Sequence, residues 1–146
     1  MITVELNQTI LRGGQRFPAV LAQEVVNTVG RRLKQKGPYH VSVAFVSGPA
    51  IRRANRDYRG KDRVTDVLSF SLTPQAGELL LSFDQAKKQA KAMKHSVRNE
   101  IIFLLVHGML HLFGHDHEKE DEAKHMFSHQ EAILKKFHVN PRLTYD

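Results

Sequence analysis

The sequence predicts an α+β fold, a small mixed β-sheet packed with helices, and three observations carry that prediction. Segments that alternate apolar and polar residues, HVSVAFV (40–46) foremost, mark strands. Between them lie longer segments in which apolar residues return every three or four positions, the period of an amphipathic helix. One continuous apolar run, IIFLLV (101–106), is far shorter than a membrane span and belongs in a core.

In order, ITVEL (2–6) alternates and reads as an edge strand, and LRGGQRF after it as a loop. From Pro18 to about Lys36, Val20, Leu21, Val25, Val29 and Leu33 recur at helical spacing, and Gly37-Pro38 ends the run. The strand HVSVAFV follows, then a short helix that opens near Pro49 and carries Ile51 and several arginines. TDVLSFSL (65–72) and ELLLS (78–82) are two further strands joined through TPQAG. Ser82 with Gln85 has the spacing of a capping box and opens a basic helix to about Lys94. Ser96 caps the next helix, which runs through IIFLLVHGMLHLF and stops at Gly114. A last amphipathic helix, about Lys119 to Phe137, turns Ala123, Met126, Phe127, Ile133 and Leu134 inward. No repeat, low-complexity segment or linker interrupts the chain, so residues 1–146 are expected to form a single domain, long enough to bury a core.

The composition is that of a soluble globular protein, with 41% hydrophobic and 25% charged residues. The N-terminus lacks the pattern of a secretory signal and there are no cysteines, so a cytoplasmic location is expected. Lys and Arg exceed Asp and Glu by 22 to 15, a formal charge of +7 that suits a polyanionic partner. Arg52, Arg53, Arg56, Arg59, Lys61 and Arg63 cluster in one stretch, and Lys87, Lys88, Lys91 and Lys94 line another. Either stretch reads equally as a solvated helix face.

The densest chemistry lies in HGMLHLFGHDH (107–117). His107 and His111 are four residues apart on a helix, so their rings leave one face at chelating distance. Gly114 can take the left-handed conformation that ends a helix and turns the chain back, which brings His117 to the same point. Three imidazoles around one ion leave a fourth position open, the pattern of a catalytic zinc site. H-x-x-x-H-x-x-G-x-x-H is also the ligand spacing of metzincin proteases, but those carry Glu after the first His as general base, and here that residue is Gly108. His115 and Asp116 lie in the turn; Asp116 either orients a ligand imidazole or handles a proton, unless it is a plain loop carboxylate. His125 and His129 are four apart without a third ligand in their segment and read as surface residues. Glu100 lies on the face of His107, but about 10 Å away along the axis, too far to touch the metal.

These residues resemble the YbeY family of bacterial rRNA maturation factors, described as metal-dependent endoribonucleases. HGMLHLFGHDH matches the family signature, NRDYRGKDRVTDVLSFSL (55–72) its second characteristic block, and GELLLS (77–82) the strand that follows. The likeness runs from about residue 41 to 134; residues 1 to about 40 carry no matching motif. Val64 and Ser71 stand where the family usually has proline, Glu78 where Asp is common, and His115 where Tyr is usual.

The resemblance implies an α+β fold with a ligand-bearing helix and one Zn²⁺ per chain on His107, His111 and His117. It further implies action on single-stranded RNA, in 16S rRNA 3′-end maturation and quality control of the ribosomal small subunit. It makes Arg59 a functional arginine, which suits a guanidinium able to clamp a phosphate and offset charge in the transition state. The alternative for Arg59 is a surface ion pair with a neighbour such as Asp62. Within the same block Asp57, Tyr58 and Asp62 are expected to brace the loop, Thr65 and Asp66 to cap or bond across it, and Leu68 and Phe70 to point into the core. A metalloprotease, and a zinc-containing ribosome assembly factor without nuclease activity, are the rival readings.

Overall fold

A computed structural model describes residues 1–141. Its elements, in order, are strand β1 (Ile2–Asn7), helix α1 (Ala19–Arg32), strand β2 (Tyr39–Val46), helix α2 (Gly48–Arg59), strands β3 (Val67–Thr73) and β4 (Ala76–Ser82), and helices α3 (Phe83–Met93), α4 (Val97–Leu112) and α5 (Glu120–Lys136). The four strands form one mixed sheet in the order β1-β2-β4-β3, with β1, β2 and β4 parallel and β3 antiparallel at the edge beside β4. The α+β fold expected from the sequence is the observed one.

Register decides which face is buried. Leu6, Val43, Leu79 and Ser69 form one row across the four strands, and Val4, Val41, Gly77 and Ser71 the next. Val41, Val43, Leu79 and Leu81 of the central strands are fully buried on this face, where α1 and α4 pack. The opposite face carries His40, Glu5 and Ser42 and is covered only in part by α2, whose Ile51 is buried where the helix packs against β4. Nearly all of α4 is buried from Glu100 to Leu110, because sheet, α1, α3 and α5 surround it. An apolar surface on all sides is what such a central helix requires, and IIFLLV supplies it.

The helix ends follow local chemistry. Ser47, Ser82 and Ser96 each accept a hydrogen bond from the backbone N–H three residues on, at 3.2, 3.2 and 3.0 Å, which satisfies a donor that the first turn leaves open. Three expectations need correction. Helix α1 ends at Arg32 instead of continuing to Lys36, since Lys34 adopts a left-handed φ of 55° and Gln35 N–H bonds back to Gly30. Val20 lies in the first turn of α1 and is 74% exposed, so it is not part of the core stripe. Phe70 also leaves the core: it is half-buried and meets the exposed Tyr58 edge-on at 5.1 Å between ring centroids, whereas Leu68 is buried as expected.

Candidate metal centre

The last turns of α4 and the loop that follows bring the three histidines together. His107 and His111 project from one face of α4, with their Nε2 atoms 3.1 Å apart. The helix then closes in a Schellman turn, in which Gly114 (φ 90°) bonds back to His111 and His115 N–H to Leu110, at 3.0 and 2.9 Å. This reversal carries His117 over the helix end, and one nitrogen from each of His107, His111 and His117 lies within 4.8 Å of the others. It is the only such group among the described residues.

Each ring is held from behind. The buried Gln130 of α5 accepts a hydrogen bond from His107 Nδ1 at 3.0 Å, which places that ring's proton on Nδ1 and leaves the Nε2 lone pair facing the other histidines. Gln130 in turn donates to the Pro141 carbonyl at 3.3 Å. The His117 ring stacks on Phe127 of α5, and the His107 ring on Phe103 of α4. The His111 ring meets the His107 ring edge-on, with centroids 4.7 Å apart. Burial pushes the His107 pKa down to about 4, and burial with the neighbouring His117 lowers that of His111. Both rings are therefore neutral ligands at neutral pH, the form a metal needs. Three imidazoles whose nitrogens converge, one of them oriented by Gln130 from behind, open on one side and fit a zinc-type ion with a free coordination position.

The open side is a cleft of about 730 Å³ with Arg59, Lys61 and Arg63 on one rim and Asp66, Asp116 and Glu118 among its acidic lining groups. Arg59 ends α2 and lines the cleft together with His107, His111 and His117. The expected competitor, Asp62, bonds Arg52 instead at 2.8 Å, and Asp57 pairs with Arg56 at 3.2 Å. Arg59 has no ion pair among the described residues. The loop after it is tied down by the buried Asn55, whose side chain donates to the Arg63 carbonyl at 3.0 Å. Asp116 accepts from the His117 N–H at 2.7 Å, so it stiffens the ligand loop while lining the cleft.

Other expected groups separate from the site. Lys87, Lys88, Lys91 and Lys94 are exposed on or just beyond α3 and do not line the cleft. Glu100 is fully buried but bonds Gln89 and His95, at 2.9 and 2.7 Å. His115 packs its ring against His129 of α5, with centroids 4.9 Å apart, and does not line the cleft. The position after the first ligand deserves a structural explanation beyond the missing protease base. A Cβ on Gly108 would lie 2.9 Å from Leu79 Cδ2 and 3.4 Å from Ser69 Oγ, so this residue faces the sheet, and the Ser69 hydroxyl donates to its carbonyl at 3.2 Å.

Residues missed by sequence reasoning are Gln130 and Gln89. Gln130 sits among the inward positions of α5, between Met126 and Ile133, and a polar residue on that apolar stripe was the available signal.

Comparison with known proteins bears on the same residues. The family described as Endoribonuclease YbeY matches residues 13–138, which include all three histidines, Arg59 and the cleft. The chain belongs to the YbeY endoribonuclease family. An Endoribonuclease YbeY of Halalkalibacterium halodurans is 43% identical over 78% of this chain and 82% of its own length. One of Geobacillus thermodenitrificans is 47% identical over 66% and 72%. Among solved structures, that of a Thermotoga maritima protein determined in solution superposes with a TM-score of 0.61 at 29% identity, covering 93% of this chain and 88% of the other. The YbeY match reaches back to residue 13, well before the motifs legible at residue 41, and membership assigns an endoribonuclease family and hence RNA as the substrate class. No helix among the described residues is long and apolar enough to cross a membrane.

Proposed function

We propose that residues 1–146 act as one domain, a zinc-dependent endoribonuclease that cuts single-stranded RNA in the cytoplasm during 16S rRNA 3′-end maturation and quality control of the ribosomal small subunit. The observation that carries this reading is the convergence of three imidazoles at a cleft lined by Arg59, Lys61 and Arg63. His107, His111 and His117 would hold the ion. When bound, it would supply Lewis acidity toward a phosphate oxygen or lower the pKa of a water molecule.

The chain's own groups do the rest. Arg59, without a carboxylate partner among the described residues, offers its fork to the scissile phosphate and offsets charge as a fifth oxygen approaches phosphorus. Lys61 and Arg63 hold flanking phosphates as simple positive charges. Asp116 is seated by the His117 N–H and lines the cleft, which suits it to receive or return a proton during the displacement. Peptide hydrolysis lacks its base here, because the position after His107 faces Leu79.

The test is cleavage of a defined single-stranded RNA by purified, zinc-loaded protein, with His111→Ala and Arg59→Glu prepared identically. Cleavage by the wild type that chelator stops, that His111→Ala loses and that Arg59→Glu reduces about a hundredfold or more supports the assignment. Absence of cleavage by zinc-loaded wild type refutes intrinsic nuclease activity and leaves an assembly role; cleavage retained in His111→Ala refutes the metal centre as its source.

A further inference from the structure

One wall of the cleft is built from a chain of mostly buried hydrogen bonds that the mechanism above does not use. Asp66, 6% exposed, stands just before β3 and lines the cleft with His107. Its Oδ1 accepts from Val67 N–H at 2.7 Å and from the Thr65 hydroxyl at 3.4 Å, and its Oδ2 accepts from Gln89 Nε2 at 3.1 Å. The same Gln89 nitrogen donates to Glu100 Oε2 at 2.9 Å, while His95 Nε2 meets Glu100 Oε1 at 2.7 Å. A side-chain amide has two hydrogens, and here they go to two different buried carboxylates. The chain thus ties β3, α3 and α4 together at the back of the cleft.

Stability alone does not call for this arrangement. Two buried carboxylates are costly to desolvate, and apolar residues of similar volume usually serve a core as well or better. What apolar residues cannot supply is a fixed negative charge on the cleft wall. Asp66 lines the same cleft as His107, so its carboxylate belongs to the wall on which the three histidines open. A negative charge beside a ligand imidazole raises its electron donation and favours a cation on it.

We infer that Gln89 and Glu100 are positioning residues that hold the Asp66 carboxylate beside His107, where its charge strengthens the grip of the three histidines on a divalent cation. The inference rests on the metal-centre reading but not on nuclease activity. Glu100, on the helix of His107 and His111 but two turns before His107, acts through Gln89.

Zinc itself is the probe, its dissociation constant measured by competition with a chromophoric chelator, and the melting of each metal-free variant is recorded in parallel. Asp66→Asn keeps shape and removes charge, and should weaken zinc binding about tenfold or more. Gln89→Met keeps volume and removes both donors, and should weaken binding in the same direction. In the Asp66→Asn background Gln89→Met should add little, because it acts through the charge already removed. Glu100→Gln, which still offers an oxygen to Gln89, should stay close to wild type, whereas Glu100→Leu should not. Wild-type zinc affinity in Asp66→Asn, or fully additive losses in the double variant, would overturn the inference even if melting temperatures fell. If Asp66→Asn does not fold, Gln89→Met decides alone: unchanged affinity overturns the inference. A wild-type protein that binds no zinc would instead bring down the metal-centre reading and this inference with it.

Discussion

Gly108 lies in the middle of α4, and its lack of a side chain sets how closely the ligand helix approaches the sheet. An added Cβ would meet Leu79 Cδ2 at 2.9 Å, Leu79 Cδ1 at 3.3 Å and Ser69 Oγ at 3.4 Å. Two opposing terms determine the effect of Gly108→Ala. A helix-interior glycine is less favourable than alanine by about 1 kcal/mol, which favours the substitution. Against it, Leu79 is fully buried on a central strand, so its side chain must give way inside a packed core, and overpacking such a site costs about 1–3 kcal/mol. The expected net loss is about 1 kcal/mol, or roughly 2–4 °C in melting temperature for a chain of this size. In a Leu79→Ala background the obstacle is gone, although that truncation itself costs about 2–5 kcal/mol. There Gly108→Ala should stabilise, by about the helix-propensity difference. The assay is urea unfolding of the metal-free protein followed by circular dichroism in all four members of the cycle. Stabilisation by Gly108→Ala in the wild-type background, or the same loss in both backgrounds, would refute the close-approach argument. Gly108→Glu, the protease residue, should prevent folding, since it drives a carboxylate into the core where a loss above about 4 kcal/mol is expected.

The remaining predictions concern the site. His107 and His111 have folded-state pKa values below the unfolded value, so the folded state binds fewer protons and the metal-free protein loses stability as pH falls below 6.5. For His107 alone, a fall from 6.5 to about 4 at about 1.4 kcal/mol per unit is on the order of 3 kcal/mol, lost progressively down to about pH 4; His107→Gln should flatten that part of the urea-midpoint profile, and an unchanged profile would contradict the assignment. Gln130→Leu removes the acceptor that fixes the His107 tautomer and should weaken zinc binding about 10–100-fold while the fold persists, a result checked by chelator competition. RNA affinity should fall with salt at about −0.7 per phosphate contacted, and Arg59→Glu should reduce that slope as well as the affinity; equal slopes in both proteins would place Arg59 outside the RNA contact.

The order of elements was legible because each carries its own local signal. HVSVAFV alternates, IIFLLV does not, and Ser47, Ser82 and Ser96 each begin a helix with a side-chain bond to the third N–H beyond. What failed was local chemistry overridden by context. Lys34 ends α1 in a conformation that glycine usually takes, so Gly37 drew the predicted boundary too far. Val20 stands five and nine positions before Val25 and Val29, which at 3.6 residues per turn places it on the opposite side of α1 from them, so it faces solvent. Phe70 alternates correctly with Leu68 along β3, yet α2 covers only part of that face and leaves Phe70 to meet an exposed tyrosine.

The site divides along the same physical line. Its three candidate ligands fall within eleven residues, and helix geometry plus one left-handed glycine nearly suffices to bring them together. Gln130 is twenty-three positions from His107 and Gln89 the same distance from Asp66, so no periodicity links them; only the packing of α5 and α3 on α4 does. Arg59 is intermediate. Six basic residues crowd its stretch, and nothing local distinguishes them, because an arginine facing a phosphate and one facing an aspartate look alike in sequence. The distinction comes from the ends of α2: Arg52 and Arg56 find Asp62 and Asp57 along the outer side of the helix, whereas Arg59 sits on the last turn, where the chain has reached the cleft and its charge acts on His111. The same division explains why a protease-like ligand spacing comes here without the protease glutamate. Ligand spacing is set by the helix alone, but the residue after the first ligand is set by what the helix packs against, and in this fold that surface is Leu79.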